Sequence, residues 1–205
     1  MHTRSWFNQV KGLACTLLFI LATSGPLSAQ RGALTVPRNL AELVAQADTI
    51  VRGRVLLARV ERHPQLTNLY TVVVTLRVED TLKGDAKESF EFRQFIWDIR
   101  DRYDAAGYRK GQRLLLLMNQ PTQYGLSSPV GLQQGRFRIV RDPRGVEYAV
   151  NGHNNSGLFR AVASQLERRR LELGPTLSQK LAKHKTGPLE LGDLEKLIQA
   201  LTGAQ

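Results

Sequence analysis

Three aspartates, Asp98, Asp101 and Asp104, recur at every third position of the stretch WDIRDRYDAAGYRKG, interleaved with Arg100 and Arg102. Carboxylates grouped in this way could hold calcium or divide acid and base roles between them. A calcium loop sets its oxygen ligands at alternate positions around a central glycine, which this stretch lacks. Acid–base work on an envelope polymer is the catalytic use the three aspartates would have. The simpler account is a solvated loop with local ion pairs of small energetic value. The same stretch carries Trp97, Tyr103 and Tyr108 beside Arg100, Arg102, Arg109 and Lys110. Aromatic and arginine side chains dominate binding hot spots, so a contact surface is the use these residues fit best.

Other chemistries find no residues to carry them. Beyond the first thirty positions the histidines are His63, His153 and His184, on separate segments, with no H-E-x-x-H pair and no cysteine. No metal site and no cofactor are expected from them. G-x-S-x-G, a cysteine near a histidine, and a G-x-x-x-x-G-K phosphate loop are all absent. GLQQG, from Gly131 to Gly135, reads as a turn or bulge at a strand start, and NGHNNSG, from Asn151 to Gly157, as a turn with His153 exposed. No catalytic constellation is evident, and a non-enzymatic role is expected.

The first thirty residues read as an address. Arg4 and Lys11 precede the apolar run LACTLLFILA, and PLSA ends in a small residue. That order is a secretory signal peptide over residues 1–29, with the cut expected between Ala29 and Gln30. An uncleaved anchor is the alternative, but the apolar run is well short of the roughly 20 residues a span needs. Cys15 falls inside the run, so the mature chain would hold no cysteine. A secreted chain without disulfides must be held by its core, which suits a bacterial periplasm. Loss of Arg4 and Lys11 leaves 27 basic against 18 acidic residues, a net charge of +9. The expected partner is therefore another exported protein or an anionic envelope component, not intracellular nucleic acid.

The elements that must position these residues are mainly strands. NLAELVAQA has Asn39 followed by Glu42, a capping box that predicts a helix near 39–47 with Leu40, Leu43 and Val44 inward. ADTIVRGRVLLARV is a strand whose apolar parity changes: Val51, Val55 and Leu57 first, then Leu56, Ala58 and Val60. A bulge inserts one residue and swaps the faces of every residue after it, and Gly53 inside the strand marks a bend. YTVVVTLRVED alternates cleanly from Tyr70, SFEFRQF sets Phe90 and Phe92 on one face, and RLLLLM is apolar on both sides, as a doubly buried strand would be. RFRIV and VEYAV flank the turn Asp142-Pro143-Arg144-Gly145 and form a hairpin.

From residue 159 the β-branched enrichment stops and three helical segments come next. In the last, Leu194, Leu197, Ile198 and Leu201 fall on one side. Between Arg160 and Lys185 seven basic residues meet only Glu167 and Glu172, and Arg168, Arg169 and Arg170 form either a solvated face or a contact for acidic polymers. The organisation predicted is a signal peptide, a β-barrel domain over 30–158 and a basic helical tail over 159–205. A long first strand that bends and re-phases favours a small OB-like barrel of five to six strands over a sandwich.

The segments ADTIVRGRV, YTVVVTLRVEDTLKGD, GQRLLLLM and VGLQQGRFRIV, within residues 47–141, resemble a group of secreted, uncharacterised bacterial proteins built on a small β-barrel. More distantly, the opening strand and the later LKG are similar to the netrin-type OB barrel of metalloproteinase inhibitors. Those inhibitors use an N-terminal cysteine and disulfides, and the expected mature start here, QRGALTVP, has neither. The resemblance implies a fold and leaves function open. The expectation is an exported binding module, with a protease-inhibitor-like role and an enzyme acting on an envelope polymer as alternatives.

Overall fold

The computed structural model describes residues 35–168 and 173–203; the predicted signal peptide, Arg169 and Arg170 lie outside the described residues. Asn39 opens the helix α1 (Leu40–Gln46). Its side chain accepts from the Glu42 N–H at 3.0 Å while the Glu42 carboxylate accepts from the Asn39 N–H at 2.8 Å. The pair satisfies two donors that a helix start leaves without partners, and Leu40, Leu43 and Val44 are buried beneath it.

Seven strands form one antiparallel sheet among the described residues: β1 (Thr49–Arg62), β2 (Tyr70–Lys83), β3 (Ser89–Phe95), β4 (Arg113–Met118), β5 (Arg136–Arg141), β6 (Glu147–Asn151) and β7 (Leu189–Glu190). Their order in space is β3-β2-β1-β4-β5-β6-β7. Three more helices come after β6 in the chain: α2 (Val162–Arg168), α3 (Pro175–Lys183) and α4 (Leu191–Thr202).

The parity change in β1 is a bulge. Val55 pairs with Leu76 and Leu57 with Thr75, leaving Leu56 as the extra residue. Beyond it Ala58 and Val60 return to the side of Val51 and Val55, while Leu56 and Leu57 are both exposed. Leu56 therefore does not lead the second apolar set, as its parity alone suggests. Two further slips leave Leu82 and Glu79 unopposed on β2. Gly53 is required where it stands, because a Cβ there would lie 2.5 Å from the Arg77 carbonyl oxygen.

The sheet builds a core on each face. On one, Ile50, Leu115, Leu117 and Phe137 pack with α1, α2 and α4; on the other, Val51, Val55, Val72, Val74, Leu76, Phe92, Leu114, Leu116 and Met118 pack together. RLLLLM serves both, as its continuous apolar character predicts. Leu194, Leu197, Ile198 and Leu201 of α4 are buried in the first core. The tail thus packs on the sheet and contributes to it, since β7 pairs with Tyr148 and Ala149.

The predicted barrel of five to six strands is corrected to an open seven-stranded sheet. The second edge of β4 is taken by β5 over Leu114–Leu116, so it cannot close on β3. Across that gap the loop after β4 supplies two isolated bridges, Arg93 to Leu126 and Met118 to Pro129, in place of a ladder. At the other end, three buried amides tie separate segments together. Gln134 accepts from the Arg38 N–H and donates to Thr35 and Val36; Asn151 donates to the Gln134 carbonyl; Asn155 donates to the carbonyls of Ala149 and Gly187. The N–H of Gly152 is held by the Gln133 carbonyl at 3.0 Å.

Gly53→Ala should lower unfolding free energy by about 2–3 kcal/mol, as overpacking against backbone does. Gly111→Ala, at φ +85° with open space around it, should cost only about 1 kcal/mol. Equal losses in urea denaturation would show that the close approach at Gly53 does not set the strand's path.

Candidate functional site

The loop between β3 and β4 is an ordered structure. Two 3-10 turns, Ile99–Arg102 and Ala105–Gly107, form its body. Asp98 caps the first, accepting from the Arg100 N–H at 2.9 Å and pairing with the Arg100 guanidinium. Asp104 accepts from the Gly107 N–H at 3.3 Å. Asp98 and Asp104 are therefore used in shaping the loop itself.

Ala105, Ala106 and Gly107 are successively left-handed, at φ 50°, 53° and 74°. For each alanine this costs about 1–2 kcal/mol, so something must hold the turn. That group is Arg136, the first residue of β5. Its Nη1 donates to the Ala106 carbonyl at 2.8 Å and its Nη2 to the Gly107 carbonyl at 2.6 Å, and its guanidinium carbon lies 3.6 Å from the centroid of the Tyr108 ring. Arg136 is buried, and burial pulls its pKa down, while the Tyr108 hydroxyl is pushed up by the same burial. That hydroxyl donates to Gln94 on β3 at 2.9 Å. Tyr108, read from the sequence as a contact residue, is instead the loop's anchor: edge-on to Phe92 it fills the second core.

Three large side chains project from the clamped loop: Trp97 is 61% exposed, Ile99 66% and Tyr103 89%. Trp97 stands edge-on to Phe95 at 5.0 Å, which fixes its base. Arg102 lies 3.4 Å over the Tyr70 ring and Arg62 4.8 Å over the same ring. Arg100 and Arg109 are exposed beside them. On the loop Trp97, Ile99, Arg100, Tyr103 and Arg109 are exposed and Arg102 partly so; Arg62 of β1 shares the Tyr70 ring with Arg102, and Tyr108 is buried. Ile99 carried no signal because its stretch is otherwise polar. Arg168 is exposed at the end of α2, in a separate part of the chain.

Two of the histidines, His63 and His184, make structural contacts. His63 Nδ1 accepts from the N–H groups of Gln65 and Leu66, and its Nε2 donates to the Tyr124 carbonyl at 2.9 Å. His153 is exposed in its turn, and His184 stands edge-on to Phe159. Among the described residues no group of three or more His, Cys, Asp or Glu is placed to hold a metal ion, and no helix is long and apolar enough to cross a membrane.

A second polar cluster crosses the helix-covered face of the sheet. Arg113 of β4 pairs with Glu79 at 2.7 Å and with Glu147, which also takes Arg141 at 2.7 Å. Arg52 reaches Glu79 at 3.2 Å, Asp80 at 3.5 Å and Glu195 of α4 at 2.7 Å. Arg52 Nε and Glu195 Oε1 are close but poorly aligned for a hydrogen bond, so charge carries most of their attraction. Burial consequently raises the Glu195 carboxyl above its ordinary range, against the pull of Arg52. For Glu79 burial would do the same, but Arg113, Arg52 and Arg54 outweigh it and hold the group low. The bond from Arg141, followed by that from Arg113, holds Glu147 low as well. Arg54, Gly111, Gln112 and Arg113 face Ile139–Arg141 and Glu147 across a groove of about 530 Å³. Comparison with protein-family models, curated proteins and solved structures finds no match to this chain.

Arg136→Met should cost about 2–4 kcal/mol, since two partly buried carbonyls lose their charged donor. It should also speed tryptic cleavage after Arg100 or Arg102; unchanged cleavage would mean the loop is held by other contacts. Acid should weaken the fold through Glu79 and Glu147: their folded pKa values are depressed, so the stability they add is present above the ordinary carboxylate range and lost as pH falls through the depressed values. Glu147→Gln should flatten that decline in acid titrations followed by circular dichroism. Glu195, raised, has the opposite sign, and Glu195→Gln should leave the acid limb in place.

Proposed function

We propose that the protein is an exported binding module whose contact surface is the Trp97–Lys110 loop, with another exported protein or an anionic envelope component as its partner. One observation carries this. Trp97, Ile99 and Tyr103 stand in solvent on a loop whose backbone is fixed from below by Arg136. Large apolar side chains held in water are costly unless something covers them, and a fixed loop loses little entropy when covered. Arginines around aromatic side chains are the composition of interface hot spots. The basic balance of the chain supports an anionic partner, and the order of basic, apolar and small residues over 1–29 supports export.

The test is capture of partners from the envelope fraction of the host by residues 30–205, at low and high salt. A partner retained at high salt should be lost with Trp97→Ala, Ile99→Ala and Tyr103→Ala together, while the melting temperature stays within a few degrees of wild type. Retention of every partner by the triple variant would end the proposal. Recovery at low salt alone would place binding in the net charge and not in the loop.

A further inference from the structure

The groove beside β5 is lined by none of the exposed Trp97, Ile99 and Tyr103. The ladder between β4 and β5 pairs Leu114 with Arg138, Leu115 with Phe137 and Leu116 with Arg136, and ends there. β5 runs on through Ile139, Val140 and Arg141, for which β6 is the only ladder partner among the described residues. Over these residues the edge that turned toward β4 is open, and the groove lies along it. An open strand edge is a template for a further strand.

The side chains around that edge are ordered by face. Ile139 packs with the helix-side core, so Arg141 and Glu147 share its side of the sheet, as do Arg54 and Arg113. Val140 points to the other side and is 42% exposed. Arg54, Arg113 and Arg141 outnumber Glu147 among the charged groups that line the groove. Arg113 is committed on every nitrogen to Glu79 and Glu147, whereas Arg54 donates only to the Gly111 carbonyl at 3.2 Å and stands 3.9 Å from Glu79. Arg54 and Arg141, with side chains 41% and 66% exposed, are the most exposed cations of the lining, Arg141 holding Glu147 through Nε and Nη2.

We propose that the groove binds an extended peptide of alternating acidic and apolar residues, added as a strand to the open edge of β5. Residues of a strand alternate between faces, so its carboxylates meet Arg54 and Arg141 while its apolar side chains meet Val140. The open backbone gives affinity and the arginines give the choice of sequence. Glu147, already neutralised by Arg113 and Arg141, does not repel the ligand's carboxylates as a free acid would. The site needs neither Trp97 nor Tyr103, so its fate and that of the loop are separable.

The test uses fluorescein-labelled Glu-Val-Glu-Val-Glu-Val titrated with the full chain lacking residues 1–29, followed by anisotropy. Saturable binding is expected, weakened at least tenfold by Arg54→Gln with Arg141→Gln, by methylating alternate peptide nitrogens, and by replacing glutamate with lysine. Trp97→Ala with Tyr103→Ala should leave it unchanged. Arg141→Gln removes a bond to Glu147, so the doubly substituted protein should melt within a few degrees of wild type, and Val140→Asp, which leaves that bond in place, gives a second variant that should weaken the peptide. Absence of binding would overturn the proposal. So would equal affinity for hexaglutamate, for the methylated peptide, or in the doubly substituted protein.

Discussion

One strand has to serve two cores, and the rest of the molecule depends on how it does so. Ile50 belongs to the helix-side core and Val51, Val55, Ala58 and Val60 to the other. A straight 14-residue strand cannot keep that allegiance through a coiling sheet. The extra residue at Leu56 brings Ala58 and Val60 back to the side of Val51 and Val55, and Gly53 lets the Arg77 carbonyl approach the strand closely. Once β1 and β2 are coiled, Phe92 and Tyr108 have a floor to pack on. Only then can the loop above them have a defined shape.

That loop is held by an unusual economy of charge. Buried cations usually face a carboxylate, and removing one member of such a pair leaves the other stranded. Arg136 faces two backbone carbonyls and a ring, each only partly negative, so its buried charge is spread over three dipolar partners and would be left unpaired if the loop moved away. The left-handed alanines put their carbonyls within reach of the fork, and the fork keeps the alanines left-handed. The ionic ladder from Asp80 to Arg141 works differently. It reaches α4, where Arg52 meets Glu195, and its members Arg113, Glu147 and Arg141 line the groove.

Much of this was legible in the sequence because it rests on local spacing. Asn39 and Glu42 mark a helix start at a distance of three residues, and the strands show themselves by alternation. The break in parity near Leu56 is a bulge, and the four leucines of β4 are buried on both sides. The hidden part depends on which strands are neighbours. The open sheet arises from β5 taking the second edge of β4, a fact no single segment contains. Leu189 and Glu190 are too few to show a strand's period. Tyr108 and Tyr103 are the same residue type five positions apart, and only the location of Arg136, 28 residues beyond Tyr108, decides which is anchor and which is exposed.

Asn151 and Gly152 form the dipeptide most prone to deamidation, in which the glycine nitrogen attacks the asparagine side chain and a succinimide closes. In the folded protein that nitrogen is turned to the Gln133 carbonyl, and both ends of the asparagine amide are engaged, with the Gln134 carbonyl and with the N–H groups of His153 and Asn155. The reaction is therefore closed while the amide cluster is intact and open once it breaks. Isoaspartate and aspartate at position 151 would accumulate across a population with the time its chains have spent unfolded there, so the converted fraction records past openings.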